Sequence, residues 1–349
     1  MIAADRPVQR PSHAKLLVVD ARRRIGHAPR SAFVEFLRPG DLVVANDAAT
    51  LPASLRGVHA GTGRPVEVRL AGRPSLRPED VSRFSAVVFG EGDFRTRTED
   101  RSAPPPLSPG DLLVLGPLRA SVERSLGHPR LVSLRFEGAP DEVWAGLARH
   151  GHPIQYAHVP VPLALWDVWT RIAGPPVAFE PPSAGFALDW RTLATMRERG
   201  AEFATLTHAA GISSTGDDEL DRLLPFDEPY RIPLATALAV RHAKARGRRV
   251  VAVGTSVVRA LEHAATVDGR VRAGEGLATQ HIGRTSRLRA VDAILSGTHE
   301  PGTSHYELLR AFLDDATLLR TSAELDARGY LTHEFGDSVL IERARPRAR

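Results

Sequence analysis

Two textures of hydrophobic patterning divide this chain, and their order constrains its fold more than any single motif. At both ends, short apolar runs alternate with segments of helical spacing. Lys15–Asp20 (KLLVVD), Leu42–Ala45, Ala201–His208 and Arg249–Val253 (RVVAV) read as strands, most of them too apolar to face water on either side. Phe33, Phe36 and Leu37 have helical spacing, and Trp190–Gly200 and Leu234–Arg246 read as helices ended by Gly200 and Gly247. Ser256–Ala265, Arg289–Leu295, Tyr306–Leu313 and Ser322–Gly329 also read as helical, and Ser338–Ile341 as a closing strand. Between the two ends the texture changes. VEVRL, SAVVF, DLLVLG, ASVERS and LVSLRF are short strand-like runs punctuated by Gly, Pro and Asp, as in a small all-β unit. The expectation is an α/β chain: a large α/β domain from residues 1–57 and 152–349, built on a mostly parallel sheet, with an inserted β-rich, barrel-like domain at 58–151.

The 349 residues suffice for a large domain plus a smaller one. The chain has no cysteine, which excludes disulfides, thiolate-held zinc, iron–sulfur clusters and thiol catalysis. The N-terminus has no signal-peptide core, and no apolar run approaches the ~18 residues needed to span a bilayer. A cytoplasmic protein without membrane contact is expected. The net charge of +5 rests almost wholly on arginine, since Lys15 and Lys244 are the only lysines. Many arginines sit singly among acids, so charge alone is weak evidence for a phosphate-backbone surface. The end, RARPRAR, reads as a short basic tail. No feature speaks to an oligomeric state.

Several chemistries are missing by motif. There is no GxxxxGK[ST], no GxGxxG after a strand, no HExxH and no GxSxG. The fourteen histidines show no tight ligand spacing, and His299 and His305 are six apart, so no metal is expected.

Four segments can carry chemistry. In Val250–Ala264 an apolar strand runs into Gly254, Thr255 and Ser256 and then a helix, an arrangement that offers backbone N–H groups to an anion. The alternative is an ordinary helix cap, with Arg259 and Glu262 as a surface ion pair on one face. In Leu206–Thr215 a strand delivers His208 to a small, hydroxyl-rich loop, although a lone histidine is more often structural. Gly297–Phe312 presents His299, Thr303 and Ser304 before a helix, which capping also explains. Glu334–Ile341 opens a strand with Gly336 and Asp337, where a turn is the simpler reading.

Taken in order, segments spanning nearly the whole chain resemble one family. These are LRPGDLVVANDAATLPASLRG (Leu37–Gly57), PPSAGFAL (Pro181–Leu188), VVAVGTSVVRALE (Val250–Glu262), RAVDAILSGTHEPGTS (Arg289–Ser304) and FGDSVLI (Phe335–Ile341). The chain is similar to the S-adenosylmethionine:tRNA ribosyltransferase-isomerases of queuosine biosynthesis, as a divergent paralogue. The resemblance implies transfer and isomerisation of the ribosyl part of S-adenosylmethionine onto 7-aminomethyl-7-deazaguanine in tRNA, releasing adenine and methionine. It implies S-adenosylmethionine as co-substrate and tRNA as partner. It also implies His208 or Glu228 as base, with His299 at the reacting centre. Gly254, Thr255, Ser256 and Arg259 would hold an anionic group, and Asn46, Asp47, Tyr230, Asp292 and Asp337 would complete the cofactor pocket.

The chain also departs from the family's pattern. The family histidine after Ala-Gly-Leu is Ala187 here, and its Met-His-x-Glu-x-Tyr survives only as Glu228 and Tyr230, with Phe226 in the histidine's place. Its Trp-Thr-Asp-Ile-Phe segment is Leu277–Thr285, and its Asn-Asp-Thr-Arg is Asn46, Asp47, Ala48, Ala49. Such replacements leave two alternatives open. One is a paralogue that uses S-adenosylmethionine on a small-molecule acceptor or cleaves it differently. The other is an inactive RNA-binding or scaffold protein on the same fold.

Overall fold

The computed structural model describes residues 1–344, so the basic tail from Arg345 onward lies outside the described residues. The larger body is a nine-stranded sheet. Its centre is four parallel strands, in spatial order Glu202–His208, Leu42–Asn46, Val250–Val253 and Ala293–Gly297. Ser338–Glu342 runs antiparallel to Ala293–Gly297 and parallel to Lys15–Val19. Each edge is finished by antiparallel pairing: Ile25–Pro29 on Lys15–Val19 at one side, Glu228–Ile232 and then Gly274–Ala278 at the other.

The sheet is therefore mixed rather than mostly parallel. The first edge is a tight hairpin whose turn is fixed by the Asp20 carboxylate, which accepts from the amides of Arg22 at 2.8 Å and Arg24 at 3.0 Å. Arg289–Leu295, expected as helix, instead supplies the strand Ala293–Gly297. It is packed between Val250–Val253 and Ser338–Glu342, so its apolar residues need no helical spacing to be buried.

Strand alternation then builds two cores. Leu17, Val44, Ala252, Ile294 and Ile341 face the helices Leu234–Ala245, Thr255–Ala264 and Asp315–Ala327. Leu16, Val43, Val251, Leu295 and Leu340 face the 3₁₀ turns Arg30–Phe36 and Ser183–Ala187 and the helix Trp190–Glu198. The result is three layers, helix, sheet and helix. Asp189 caps the last of these helices by accepting from the Thr192 amide at 2.7 Å. The expected C-terminal glycine at Gly247 is present with φ of 65°.

The middle texture forms a closed six-stranded antiparallel barrel. Its strands are Ser54–His59, Pro65–Gly72, Arg83–Phe89, Leu112–Leu115, Leu118–His128 and Leu131–Phe136. The first of these starts ahead of residue 58. Pro109–Gly110 makes a turn into the strand Leu112–Leu115, closed by the Ser108 amide donating to Asp111 at 2.7 Å. The helix Pro140–His150 packs on the barrel, and the chain returns where His152 pairs with Ser54. On the other face of Pro65–Gly72 from Val66, Val68 and Leu70, buried Glu67 is held by Arg69 and Arg101. Among the described residues no helix is long and apolar enough to cross a membrane.

Candidate active site

The four central strands end at one edge, at Asn46, His208, Val253 and Gly297. Over that edge, against barrel-side residues such as Thr98 and Ile154, lies a cavity of about 810 Å³. This is the expected place for a ligand in an open α/β sheet, beyond the carboxyl ends of its parallel strands.

Gly254 makes the floor possible. Its φ of 96° turns the strand Val250–Val253 sharply into the helix Thr255–Ala264, a conformation other residues resist. Gly254, Thr255 and Ser256 all line the cavity, with the helix N-terminus beneath them. One turn further on, Arg259 is buried and ion-paired to Glu228, and donates to the carbonyls of Ala278 at 2.9 Å and Phe226 at 3.3 Å. Arg259 is thus committed to the protein rather than free to clamp an anion. Glu262, its neighbour on the helix, accepts from the amides of Arg289, Ala290 and Val291, so the two do not form a surface pair.

Glu228 also accepts from the Gly211 amide at 2.6 Å. Burial pushes its carboxyl above the usual range, against the pull of Arg259. His208 lies behind it, wholly buried, with Nε2 3.4 Å from Glu228 and neither ring nitrogen hydrogen-bonded. Burial, aided by the Arg259 charge, holds this imidazole far below its ordinary pKa, so it is neutral. His208 does not line the cavity. As a direct base it is therefore corrected: a fully covered ring can act only through Glu228.

His299 does line the cavity. Its Nε2 meets the Ser296 hydroxyl at 2.9 Å, and its ring stacks on His305 with centroids 4.8 Å apart. Burial pushes His305 down to about 4 and holds His299 well below the usual imidazole value. The sequence spacing had given no reason to bring these two rings together.

Five expected pocket residues serve the scaffold instead. Asn46 fastens strand ends, accepting from the amides of Ala48 and His208 at 3.0 Å each and donating to the His208 carbonyl at 2.9 Å. Asp47 accepts from the Thr207 hydroxyl at 2.7 Å. Tyr230 is buried against Thr255–Ala264, its hydroxyl 2.9 Å from His263 Nδ1. Asp292 sits at the opposite edge of the sheet, where it binds Lys244 at 2.9 Å and the Val250 amide at 2.9 Å. Asp337 shares the cavity's edge but is consumed by the amides of Lys15 at 2.6 Å and Leu331 at 2.9 Å. Each was legible as polar and close to a motif; what it bonds to was not.

The far wall holds residues that sequence reasoning missed: Tyr156, His158, Glu180, His333 and Glu334. Glu180 accepts from the Tyr156 hydroxyl and from the Ser213 amide at 3.0 Å, both on Oε1. Burial is the main force that pushes its carboxyl up to about 7; the Tyr156 and Ser213 hydrogen bonds oppose it, and the charge of Glu334 adds to it. A signal was available, since Glu180 directly precedes the Pro181–Leu188 segment.

The comparisons with known proteins agree with this architecture. A family model described as queuosine biosynthesis protein matches residues 1–341. The S-adenosylmethionine:tRNA ribosyltransferase-isomerase of Sorangium cellulosum is 34% identical, covering 97% of this chain and 95% of that protein. The enzyme of the same name from Thermus thermophilus is 33% identical over 94% of this chain and 92% of its own length. The crystal structure of S-adenosylmethionine tRNA ribosyltransferase from Thermotoga maritima aligns with a TM-score of 0.51 at 22% identity, covering 97% of this chain and 96% of that one, a likeness of fold. Sheet, barrel and ordered motifs thus point the same way, and the chain belongs to the queuosine biosynthesis protein family.

Proposed function

We propose that this chain is a cytoplasmic S-adenosylmethionine-dependent transferase and isomerase that moves the ribosyl part of its co-substrate onto 7-aminomethyl-7-deazaguanine in tRNA, releasing adenine and methionine. The observation that carries this reading is convergence. The Pro181–Leu188, Val250–Glu262 and Arg289–Ser304 segments, far apart in sequence, all contribute residues to one cavity. Nothing in the cavity favours a small-molecule acceptor or an inactive scaffold.

The reaction needs a base, an anion site and help for the departing purine. The sulfonium acidifies the neighbouring ribose carbon, so a carboxylate suffices as base. Glu228 takes that role: it lines the cavity, and Arg259 and the Gly211 amide fix its orientation. His208 behind it is a positioning residue. The Gly254–Ser256 turn is assigned the methionine carboxylate, which suits exposed N–H groups at a helix N-terminus. Glu180, a carboxylate on the cavity wall, is assigned the proton of the acceptor ammonium, which must be lost before nitrogen can attack. His299, neutral near pH 7, can donate a hydrogen bond to the ribose or purine without carrying charge.

The test is incubation of the protein with S-adenosylmethionine, with and without tRNA bearing the deazaguanine precursor, reading adenine and methionine by mass spectrometry. Adenine release that depends on the tRNA is expected. No release with the tRNA present would sink the proposal, and equal release without it would move the acceptor away from tRNA.

A further inference from the structure

The far wall of the cavity gathers more ligating chemistry than the proposed reaction uses. His158, His333 and Glu334 place one ligand atom each within 4.8 Å of one another. His158 Nε2 lies 3.1 Å from Glu334 Oε2. The two imidazoles are stacked, with centroids 4.2 Å apart and planes 20° from parallel. Tyr156 continues the stack on the other side of His158 at 6.1 Å, and its hydroxyl is bound to Glu180. Among the described residues the His333 ring makes no hydrogen bond, and it is exposed toward solvent.

The backbone holds His333 in an unusual way. Its φ is 67°, in the left-handed region that non-glycine residues seldom enter. Strained residues of this kind gather at functional sites, held by well-anchored surroundings. The surroundings here qualify. The Gly336 amide donates to the His333 carbonyl at 3.0 Å, and the Asp337 amide to Leu331 at 2.8 Å. The Asp337 carboxylate ties the same turn to Leu331 and to the amide of Lys15. Fold alone gives no reason for a histidine at this position, since glycine would be unstrained.

Charge adds a further reason. Glu180 and Glu300 also line the cavity; Glu334 repels the Glu180 carboxylate, and Glu300 acts on His333. A cation among them would offset that repulsion. The donor set, two imidazoles and one carboxylate with no thiolate in the chain, suits a borderline divalent ion such as Zn²⁺, Co²⁺ or Ni²⁺. None of the three residues falls in the segments that carry the family resemblance. The sequence expectation of no metal rested on linear spacing; His158 and the His333–Glu334 pair meet only through the fold.

We propose that His158, His333 and Glu334 form a divalent metal site on the cavity wall. Three protein ligands leave a coordination position open toward the cavity for water or a donor atom of a substrate. The proposal does not depend on the transferase reading.

The test is calorimetric titration of the purified, chelator-treated protein with Zn²⁺, and with Co²⁺ followed by visible absorption. One Zn²⁺ per chain and a Co²⁺ band of low-coordinate type are expected. His158→Ala and His333→Gly should each weaken binding by more than the roughly 10–100-fold that losing an outer partner costs. His333→Gly is the decisive variant. Glycine relieves the backbone at this φ, so its melting temperature should hold or rise while the ion is lost. Absence of stoichiometric binding to the unaltered protein would overturn the proposal. So would binding that persists in the His158→Ala, His333→Gly double variant, because the ion would then sit elsewhere.

Discussion

Each edge of the central sheet carries a buried arginine paired with carboxylate, and the two clusters are built to different standards. At the edge away from the cavity, Arg249 binds Asp41 through Nε at 3.1 Å to each oxygen, adds Glu342, and gives its last donor to the Phe36 carbonyl at 2.9 Å. Asp41 accepts in addition from the Arg38 amide at 2.7 Å. Burial opposes the Arg249 charge, but the hydrogen bonds and charges of Asp41 and Glu342 prevail and hold its pKa up. At the cavity edge, Arg259 and Glu228 make the same kind of pair, yet among the described residues Arg259 Nε and both nitrogens of His208 have no hydrogen-bond partner. Buried polar groups are normally satisfied, so unsatisfied ones call for an explanation. One cluster is a finished joint between the strands it ties. The other stops short of saturation at the place where substrate chemistry is proposed.

That contrast can be broken by exchanging the same kind of damage between the two ends. Glu228→Gln keeps shape and removes the base. Turnover per folded molecule should fall about a hundredfold or more, a loss separate from the stability that the uncompensated Arg259 charge costs. Unaltered turnover would strip Glu228 of its role and leave the cavity cluster no different from its counterpart. Arg249→Met should cost stability alone. Leaving Asp41 buried without a counter-ion, with Glu342 held by Arg38 only, costs about 3–5 kcal/mol in denaturant unfolding, while turnover per folded molecule stays the same. A change in turnover larger than the loss of folded protein would refute the division.

Acid sharpens the comparison at lower cost. Unfolded histidines titrate near 6.5. His305 is pushed down to about 4, and burial holds His208 and His299 well below their ordinary value. Between these values the unfolded chain binds more protons than the folded one, so stability is complete above about pH 6.5 and is lost as pH falls toward 4. The edge at Arg249 has no imidazole in its cluster and contributes nothing to this loss. His305→Gln should flatten the stability profile between pH 6.5 and 4.5 by about 1 kcal/mol, allowing for its partial exposure. An unchanged profile would show that His305 is not the group responsible.

The sequence made the barrel and the buried strands legible because both follow from short-range pattern: period-two alternation, uninterrupted apolar runs and turn residues. It misled where a local pattern admits two answers. Ala-Val-Asp-Ala-Ile-Leu at 290–295 suits a helix face or a strand covered on both sides, and only the neighbouring strands decide. The site was half legible for a related reason. Gly254, Ser256 and Arg259 sit in a strand–turn–helix whose geometry is local, and they reached the cavity or its rim. Asp292 and Asp337 carry the same chemical labels as pocket residues but are consumed by backbone amides that no linear reading pairs with them. Tyr156, His158, Glu180 and His333 were missed because their meeting is wholly tertiary.

The pairing of Ser54 with His152, through backbone hydrogen bonds of 2.8 and 2.9 Å, bears on how the chain assembles. Leu42–Asn46 and Glu202–His208 are neighbours in the sheet, although the whole barrel lies between them in sequence. Once the barrel has closed and joined its two ends, only the stretches 47–53 and 153–201 remain as flexible loop between those strands. Closure entropy grows with the logarithm of loop length, so this shortening removes roughly 1 kcal/mol from the barrier to their union. The barrel thus acts as a splint during folding: it converts one of the distant pairings at the heart of the sheet into a comparatively local one.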